Sequence, residues 1–348
     1  MGIDVVLKTV RQHLKHLGRP NMVKVPESGT GRIQYSWKDE SERRRITARI
    51  PRRILEENMQ RDDSAIATFL LCLAYWYEKA SPGLPVECVL SVDSPADSAR
   101  GVRLTHLRRS LFLIDQYKKL FPKRFVFDGP GLAWDWPTRP ILNDPKNNRE
   151  SGSTAMPKKR IRESRLERQI TKGEGLLRGF PDKANPPVFF QRQFPVGLFE
   201  GRVDGNSHWT PGGNSQVDLW GTSKDGKVLH FVELKAAENQ KTGIIPEAFY
   251  YARLLGYLRS GKKTAGTPEI QCQSDWSGYR AACAAERVIM WLSAPSFHPL
   301  LLVAGHSPLE WFNAALSAES IEMRILPFDL GVEGIERWGQ ERGWPSAS

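Results

Sequence analysis

The sequence predicts an α/β protein in which helices flank a mixed central sheet, together with a separate N-terminal α+β domain. The chain has 348 residues, more than one domain usually contains. Its composition, 40% hydrophobic and 26% charged, is sufficient to bury a core. In the C-terminal half, apolar runs typical of strands alternate with runs at helical spacing, the order expected of an α/β fold.

Residues 1–142 are predicted to form the N-terminal domain. Their apolar spacing and β-branched runs predict helices over 3–17, about 52–80 and 103–120, and strands over 86–92 and 124–128. The longest apolar stretch, 65–77, is too short to span a bilayer. We therefore interpret it as a core helix and expect no membrane partner.

A composition break over residues 143–160 separates the two parts of the chain. This segment is rich in Asn, Pro, Gly and Ser and has Met156 as its one large aliphatic side chain. Such a composition is typical of an interdomain linker. The second domain is therefore predicted over 161–348.

The second domain has a regular order of predicted elements. They are a helix (161–177), three strands (188–199, 215–221, 227–237), a helix (247–261), a strand (287–294), a helix (308–320) and a last strand (321–328). Pro246 and Gly261 mark the two ends of the middle helix. Helix, three strands, helix and strand is an order expected around a mixed sheet.

The charge of the chain indicates an anionic partner such as nucleic acid. The net charge is +11, and residues 1–150 carry +8 of it. Part of this charge is an arginine run that begins with Arg43, Arg44 and Arg45. Guanidinium groups suit phosphate oxygens, so the run predicts a nucleic-acid-binding patch; a solvated helix face is the alternative.

Cysteine usage favours a reducing compartment. The four cysteines, Cys72, Cys88, Cys272 and Cys283, include no CxxC pair, which argues against a zinc site or a disulfide framework. The N-terminal residues lack the apolar run of a secretory signal. We expect a cytoplasmic protein.

The most informative stretch is the strand that contains Glu233 and Lys235. Side chains two apart on a strand point to one face, and a hairpin across residues 224–226 would bring Asp218 beside Glu233. Two carboxylates about 4 Å apart repel by about 4 kcal/mol at an effective dielectric near 20. A divalent cation reverses that repulsion, so the pair predicts a metal site, with a cross-strand salt bridge as the alternative.

The acidic-x-Lys spacing alone does not identify this site. The same spacing occurs at Asp144-Pro-Lys146, in the predicted linker, and at Asp225-Gly-Lys227, in the predicted turn. The Glu233 stretch differs because an apolar strand precedes it and Asp218 is predicted on the neighbouring strand.

Asp218, followed after fourteen residues by Glu233-Leu234-Lys235, resembles the motif of the PD-(D/E)XK nuclease superfamily. That family includes type II restriction enzymes, Holliday junction resolvases and RecB-type exonuclease domains. The resemblance covers residues 161–295 approximately, with Val217 where the motif name has proline. It implies a restriction-endonuclease-like αβββαβ core and a Mg²⁺-dependent phosphodiesterase in which Mn²⁺ is expected to substitute.

The resemblance also implies roles for individual residues. Asp218 and Glu233 would be metal ligands, the Leu234 carbonyl a third ligand, and Lys235 would orient the attacking water. Glu167 matches the glutamate that many members carry on the first core helix.

Further residues match flanking features of the family. Glu247 and Tyr251 resemble the Gln-x-x-x-Tyr motif of the RecB-like branch, with Glu in place of Gln. Lys241, in the loop after the motif strand, is a candidate phosphate contact, with solvent exposure as the alternative.

Together these features predict a metal-dependent nuclease acting on nucleic acid, with DNA as the first expectation. Phage defence, restriction and DNA repair are all compatible roles, and family members often act as homodimers or beside a partner protein. Two alternatives stay open: a catalytically inactive nucleic-acid-binding or regulatory protein with a nuclease-like fold, and an RNA-directed nuclease.

Overall fold

The computed structural model contains two compact units. Unit 1 comprises Met1–Asp135, Lys241–Glu247 and His298–Ala315, and unit 2 comprises Trp136–Gln240, Ala248–Phe297 and Leu316–Ser348. The structure describes residues 3–18, 23, 25–26, 33–58, 65–93, 99–142, 167–168, 170–171, 180–203, 209–210, 215–235, 242–260, 269–272, 275–294, 297–301 and 306–327. The expected linker, 143–160, lies outside these residues.

Unit 1 is built on a four-stranded mixed sheet. Strand β1 (Gln34–Asp39) is antiparallel to β2 (Arg44–Pro51), which is parallel to β3 (Val86–Asp93), itself parallel to β4 (Phe125–Asp128). The helices of this unit are α1 (Asp4–His16), α2 (Ile66–Ala80), α3 (Val102–Leu120) and, from the C-terminal sequence, α6 (Leu309–Leu316).

Strand β2 corrects one interpretation of the arginine run. Residues 44–51 are not a solvated helix face, because Ile46, Ala48 and Ile50 alternate along the strand and are fully buried. Arg45 and Arg49 occupy the intervening positions on the other face of the sheet. Buried and more exposed positions alternate along this stretch, as is typical of a strand, but the many arginines obscured that alternation in the sequence.

Unit 2 is built on a five-stranded mixed sheet. Antiparallel pairs join β6 (Gln191–Pro195) to β8 (Gln216–Thr222) and β8 to β9 (Val228–Leu234), and parallel pairs join β9 to β11 (Arg287–Ala294) and β11 to β12 (Ile321–Pro327). The strand order across the sheet is therefore β12-β11-β9-β8-β6. A small second sheet contains β10 (Gln271–Cys272), β5 (Pro140–Leu142) and β7 (Leu198–Glu200).

Helix α4 (Ile244–Ser260) lies where a helix was predicted, and residues 167, 168, 170 and 171 within the first predicted helix are also helical. Helix α5 (Ser277–Ala284), between α4 and β11, was not predicted. With six labelled helices and three mixed sheets among the described residues, the α/β class is confirmed. The predicted strand 188–199 is divided into β6 and β7, and Gln193 within β6 has a φ of 62°.

Strand β9 lies at the centre of the larger sheet and is buried on both faces. On one face Val232 and Leu234 pack in a cluster with Ile170 and Trp291. On the other face Phe231 contacts Phe194, with 4.7 Å between ring centroids. All seven residues of the strand are buried, so any charged side chain on it has to be satisfied inside the protein.

No described helix combines the length and the apolar composition that crossing a membrane requires.

We predict that acid destabilises unit 2 through His230. Burial lowers the pKa of His230 to about 4, and Trp291 Nε1 donates to its Nδ1 over 3.2 Å, which requires an unprotonated Nδ1. Because the folded pKa lies below the unfolded value near 6.5, this stabilisation is complete above pH 6.5 and is lost as the pH falls toward 4. Urea unfolding of wild type and His230→Asn from pH 7.5 to 4.5 should give a shallower loss for the variant; equal slopes would contradict the assignment.

Candidate metal centre

The β8–β9 hairpin sets the register of the acidic residues. Its turn is closed by the Gly226 amide, which donates to the Ser223 carbonyl over 3.0 Å, and Gly226 has a φ of 72° that favours glycine. The register runs from Thr222 opposite Leu229 to Leu219 opposite Val232. Continued by one residue, it places Asp218 opposite Glu233, so the two side chains share a face.

Asp218 also holds the two strands together where the ladder ends. Its Oδ2 accepts a hydrogen bond of 2.7 Å from the Leu234 backbone amide. Beyond the Leu219–Val232 pair, a side chain of β8 thus bonds to the backbone of β9. This bond fixes the Asp218 carboxylate at the end of the ladder.

Glu233 and Lys235 form a buried ion pair. Lys235 Nζ donates to Glu233 Oε1, and the two residues are 5% and 2% exposed. Both point to the face that Asp218 shares, because they alternate with buried Val232 and Leu234. The alternative interpretation was a salt bridge between neighbouring strands. The salt bridge observed at Glu233 instead joins two residues of the same chain segment, Glu233 and Lys235.

The donor chemistry of this cluster fits a divalent cation. Mg²⁺ commonly takes one or two carboxylates and completes its shell with water and substrate oxygens. Asp218 and Glu233 supply two carboxylates on one sheet face. Among the described residues no group of three or more His, Cys, Asp or Glu side chains is arranged to hold a metal.

Gln216 is a polar residue near the pair that the sequence analysis did not single out. It lies two residues before Asp218 on β8 and therefore on the same face. Its Oε1 is buried and has no hydrogen-bond partner within the described part of the chain. Its spacing of two from Asp218 was the one available signal, and a glutamine at that distance is common in ordinary strands.

Glu167 is held by an arginine on the opposite side of the sheet. Arg192 Nε donates to Glu167 Oε2 over 2.9 Å, and Glu167 is 4% exposed. Arg192 pairs with Leu219, whose face is covered by the helical residue Ile170, whereas Asp218 alternates to the other face. The structure does not gather Glu167 with the two carboxylates, and its metal role stays a prediction.

The roles of the remaining predicted residues of the nuclease motif stay predictions. Tyr251 is buried and its hydroxyl lies 3.5 Å from Ser215 Oγ, next to Gln216 in the chain. Glu247 is buried in the first turn of α4 and belongs to unit 1. Lys241 lies outside the described residues, and a ligand role for the Leu234 carbonyl stays a prediction.

The arginines of unit 1 contact carboxylates of the same unit. Arg43 and Arg45 both bond to Glu87, over 2.9 and 2.7 Å, and both contact Glu40, over 3.5 and 3.2 Å. Arg44 donates to the Ser81 carbonyl over 2.7 Å. A phosphate at Arg43 or Arg45 would have to compete with two carboxylates, and nucleic-acid binding by these residues stays a prediction.

Comparison with protein-family models, curated proteins and solved structures found no match to this chain.

We predict that Asp218 stabilises the hairpin apart from any metal. Asp218→Ala removes the acceptor of the Leu234 amide and should lower the free energy of unfolding by about 1–3 kcal/mol, the cost of a buried donor without a partner. Asp218→Asn keeps a carbonyl oxygen there and should cost less. Urea unfolding in EDTA would measure both, and equal losses in the two variants would contradict the role of this bond.

Proposed function

We propose that the protein is a metal-dependent nuclease that hydrolyses phosphodiester bonds, with DNA as its first expected substrate. The proposal rests chiefly on two observations: the register of β8 and β9, which sets Asp218 opposite Glu233 when continued by one residue beyond Leu219 and Val232, and the contact of Lys235 with Glu233. A rigid pair of carboxylates with an adjacent ammonium group suits phosphodiester chemistry, because a divalent cation bound there would activate water and neutralise developing charge on phosphate.

The side chains would divide the work by their chemistry. Asp218 and Glu233 would hold the cation, and Asp218 is positioned for this by its bond to the Leu234 amide. Lys235 is a cationic donor in contact with Glu233 and would orient a water molecule or a phosphate oxygen. Strands position such groups more firmly than loops do, and β9 is held on both sides by β8 and β11.

The arrangement of unit 2 is compatible with the restriction-endonuclease-like core that the motif implies. In chain order there are a helical segment, antiparallel strands β6, β8 and β9, helix α4 and parallel strand β11, with β7 between β6 and β8 and with β10 and α5 between α4 and β11. The net charge of +11 favours a polyanionic substrate. Four free cysteines among the described residues are consistent with a cytoplasmic location.

A non-catalytic nucleic-acid-binding protein is the second candidate. The observation that favours it is the Lys235–Glu233 ion pair, which satisfies both charges without a metal. The Asp218 carboxylate at the same strand end favours the enzyme, since a stable ion pair needs no second acid beside it.

We predict that cleavage requires Mg²⁺ and Lys235. Plasmid DNA, linear DNA, single-stranded DNA and RNA are each incubated with the protein in Mg²⁺ or in EDTA. Cleavage should occur with Mg²⁺ and not with EDTA. The cleavage rate should fall about 100-fold or more in Lys235→Ala and in Glu233→Gln. The matched control is Lys227→Ala. Lys227 belongs to the same acidic-x-Lys spacing, but it lies in an exposed turn and pairs with Glu286 over 2.8 Å, so its loss should leave cleavage unchanged.

The substrate panel separates the candidates. Cleavage of RNA alone would favour the RNA-directed nuclease. Binding of nucleic acid with no Mg²⁺-dependent cleavage of any substrate would contradict the enzyme and favour the binding protein.

A further inference from the structure

The sheet of unit 1 has one face covered by helix α2 and a second face that is exposed. On the covered face the ring centroids of Trp37 and Tyr77 lie 4.9 Å apart. On the same face Cys88 Sγ donates to the Leu70 carbonyl of α2 over 3.3 Å. Side chains that alternate with Trp37 point to the second face, where Lys38 is exposed. This second face is therefore accessible to a ligand.

A cavity of about 590 Å³ lies on the exposed face, and its volume is in the range of sites that bind small organic ligands. Its cationic lining residues are Lys38, Arg43 and Arg45. Among the described residues one carboxylate, that of Glu87, also lines it. Three positive charges and one negative charge give the lining a net charge of +2, which favours an anionic ligand.

Two of these cations are direct neighbours across the β1–β2 ladder. Lys38 is paired with Arg45 in the register, and like charges at directly opposite positions are destabilising. Arg45 is paired with Glu87 on its other side and bonds to it over 2.7 Å. Lys38 makes no ion pair or hydrogen bond with a described residue. An anion bound at Lys38 and Arg45 would offset their repulsion.

Glu87 and Glu40 compete for the arginines but do not use all of their donors. Arg43 and Arg45 each contact the two carboxylates through Nε and Nη1. Within the described part of the chain the Nη2 atoms of both arginines have no acceptor, and each Nη2 carries two N–H groups. Glu87 is only 8% exposed and holds both guanidinium groups in place. A phosphate group can therefore accept from Arg45 and Lys38 while Glu87 keeps its bonds.

The rest of the lining carries no charge. Val89 and Val126 are paired on β3 and β4, and Val126 is 38% exposed. Ser36 and Thr47 are paired on β1 and β2 and contribute hydroxyl groups. Because Val89 is paired with Thr47, two residues along β2 from Arg45, this part lies about 7 Å along the strands from the charged part. The separation suits a ligand whose phosphate and ring are joined by a sugar.

We propose that this cavity is a binding site for a free mononucleotide. Its phosphate would accept hydrogen bonds from Lys38 and Arg45, and its base would pack on Val89 and Val126. Apolar side chains contact the base without reading its edge, so purine and pyrimidine nucleotides would both fit. The site goes beyond the proposed cleavage of nucleic acid, because it requires neither a divalent cation nor a residue of unit 2.

The experiment is isothermal titration calorimetry of the full chain in EDTA, with AMP, adenosine and inorganic phosphate as separate probes. AMP should bind, and adenosine and phosphate should each bind at least tenfold more weakly, because each offers only one part of the ligand. Lys38→Met should weaken AMP about tenfold, the effect of one lost charged hydrogen bond. Val126→Ser should weaken AMP about threefold through lost apolar contact.

Lys38→Met is also the variant least able to act through misfolding, since Lys38 has no bond to a described residue to lose. Circular dichroism should give the same thermal unfolding for this variant and wild type. The matched control is Arg49→Met. Arg49 lies on the same strand and face as Arg45, but it pairs with Asp93 and does not line the cavity, so its loss should leave AMP affinity unchanged.

Wild-type protein that binds no AMP would overturn the site, as would equal AMP affinity in wild type and Lys38→Met. Phosphate that binds as tightly as AMP would overturn the nucleotide assignment in favour of a simple anion site. Binding of a single-stranded oligonucleotide that depends on Lys38, without binding of AMP, would also overturn it and indicate a nucleic-acid surface. Because the titrations are made in EDTA, their failure leaves Mg²⁺-dependent cleavage to be judged separately, and failure of cleavage does not affect them.

Discussion

The buried ion pair between Lys235 and Glu233 is the constraint on which the rest of unit 2 depends. The β9 strand runs through the centre of a five-stranded sheet and is covered on both faces, so its charged residues have no ready access to water. Burying one of the two charges alone would cost several kcal/mol, and the pair offsets much of that cost. A sheet built only for stability would have apolar residues at these positions. Packing alone therefore does not account for Lys235 and Glu233 at these positions.

The surrounding contacts position this pair with few degrees of freedom. Asp218 accepts from the Leu234 amide and fixes the end of the hairpin, and the Lys235 amide donates to the Ser293 carbonyl of β11 over 2.8 Å. The backbone that carries Glu233 and Lys235 is thus bonded on both sides. The position of the Glu233 and Lys235 side chains is therefore set by a strand end that is held from both neighbouring strands.

The strands of the larger sheet, and the expectation that Asp218 lies beside Glu233, could be drawn from the sequence because both depend on short-range patterns. The KDG turn fixes the hairpin register, and the alternation on β9 then assigns the face of Glu233 and Lys235 without tertiary information. Prediction from the sequence failed at the arginine run, where β2 alternates Arg45, Thr47 and Arg49 with buried small and apolar residues and the charges masked the strand. The Gln193 conformation, with φ of 62° in the middle of β6, had no sequence signal because glycine is the usual residue there.

Other features could not be predicted because they join distant parts of the chain. Glu167 meets Arg192 across 25 residues, and helix periodicity alone cannot tell an acid aimed at a metal from one aimed at an arginine. Likewise Glu87 contacts Arg43 and Arg45 only because β3 lies parallel to β2. Residues 241–247 and 298–315 belong to unit 1 although most of the sequence around them belongs to unit 2, an assignment that no local pattern reveals.

The most direct test of the central claim, that Asp218 and Glu233 share a divalent cation, is a crystal structure of the protein grown with Mn²⁺ and measured at the manganese absorption edge. One anomalous peak is expected about 2.1 Å from oxygens of both carboxylates. Crystals grown in saturating Mn²⁺ that show no anomalous peak at this sheet edge would contradict a cation shared by Asp218 and Glu233.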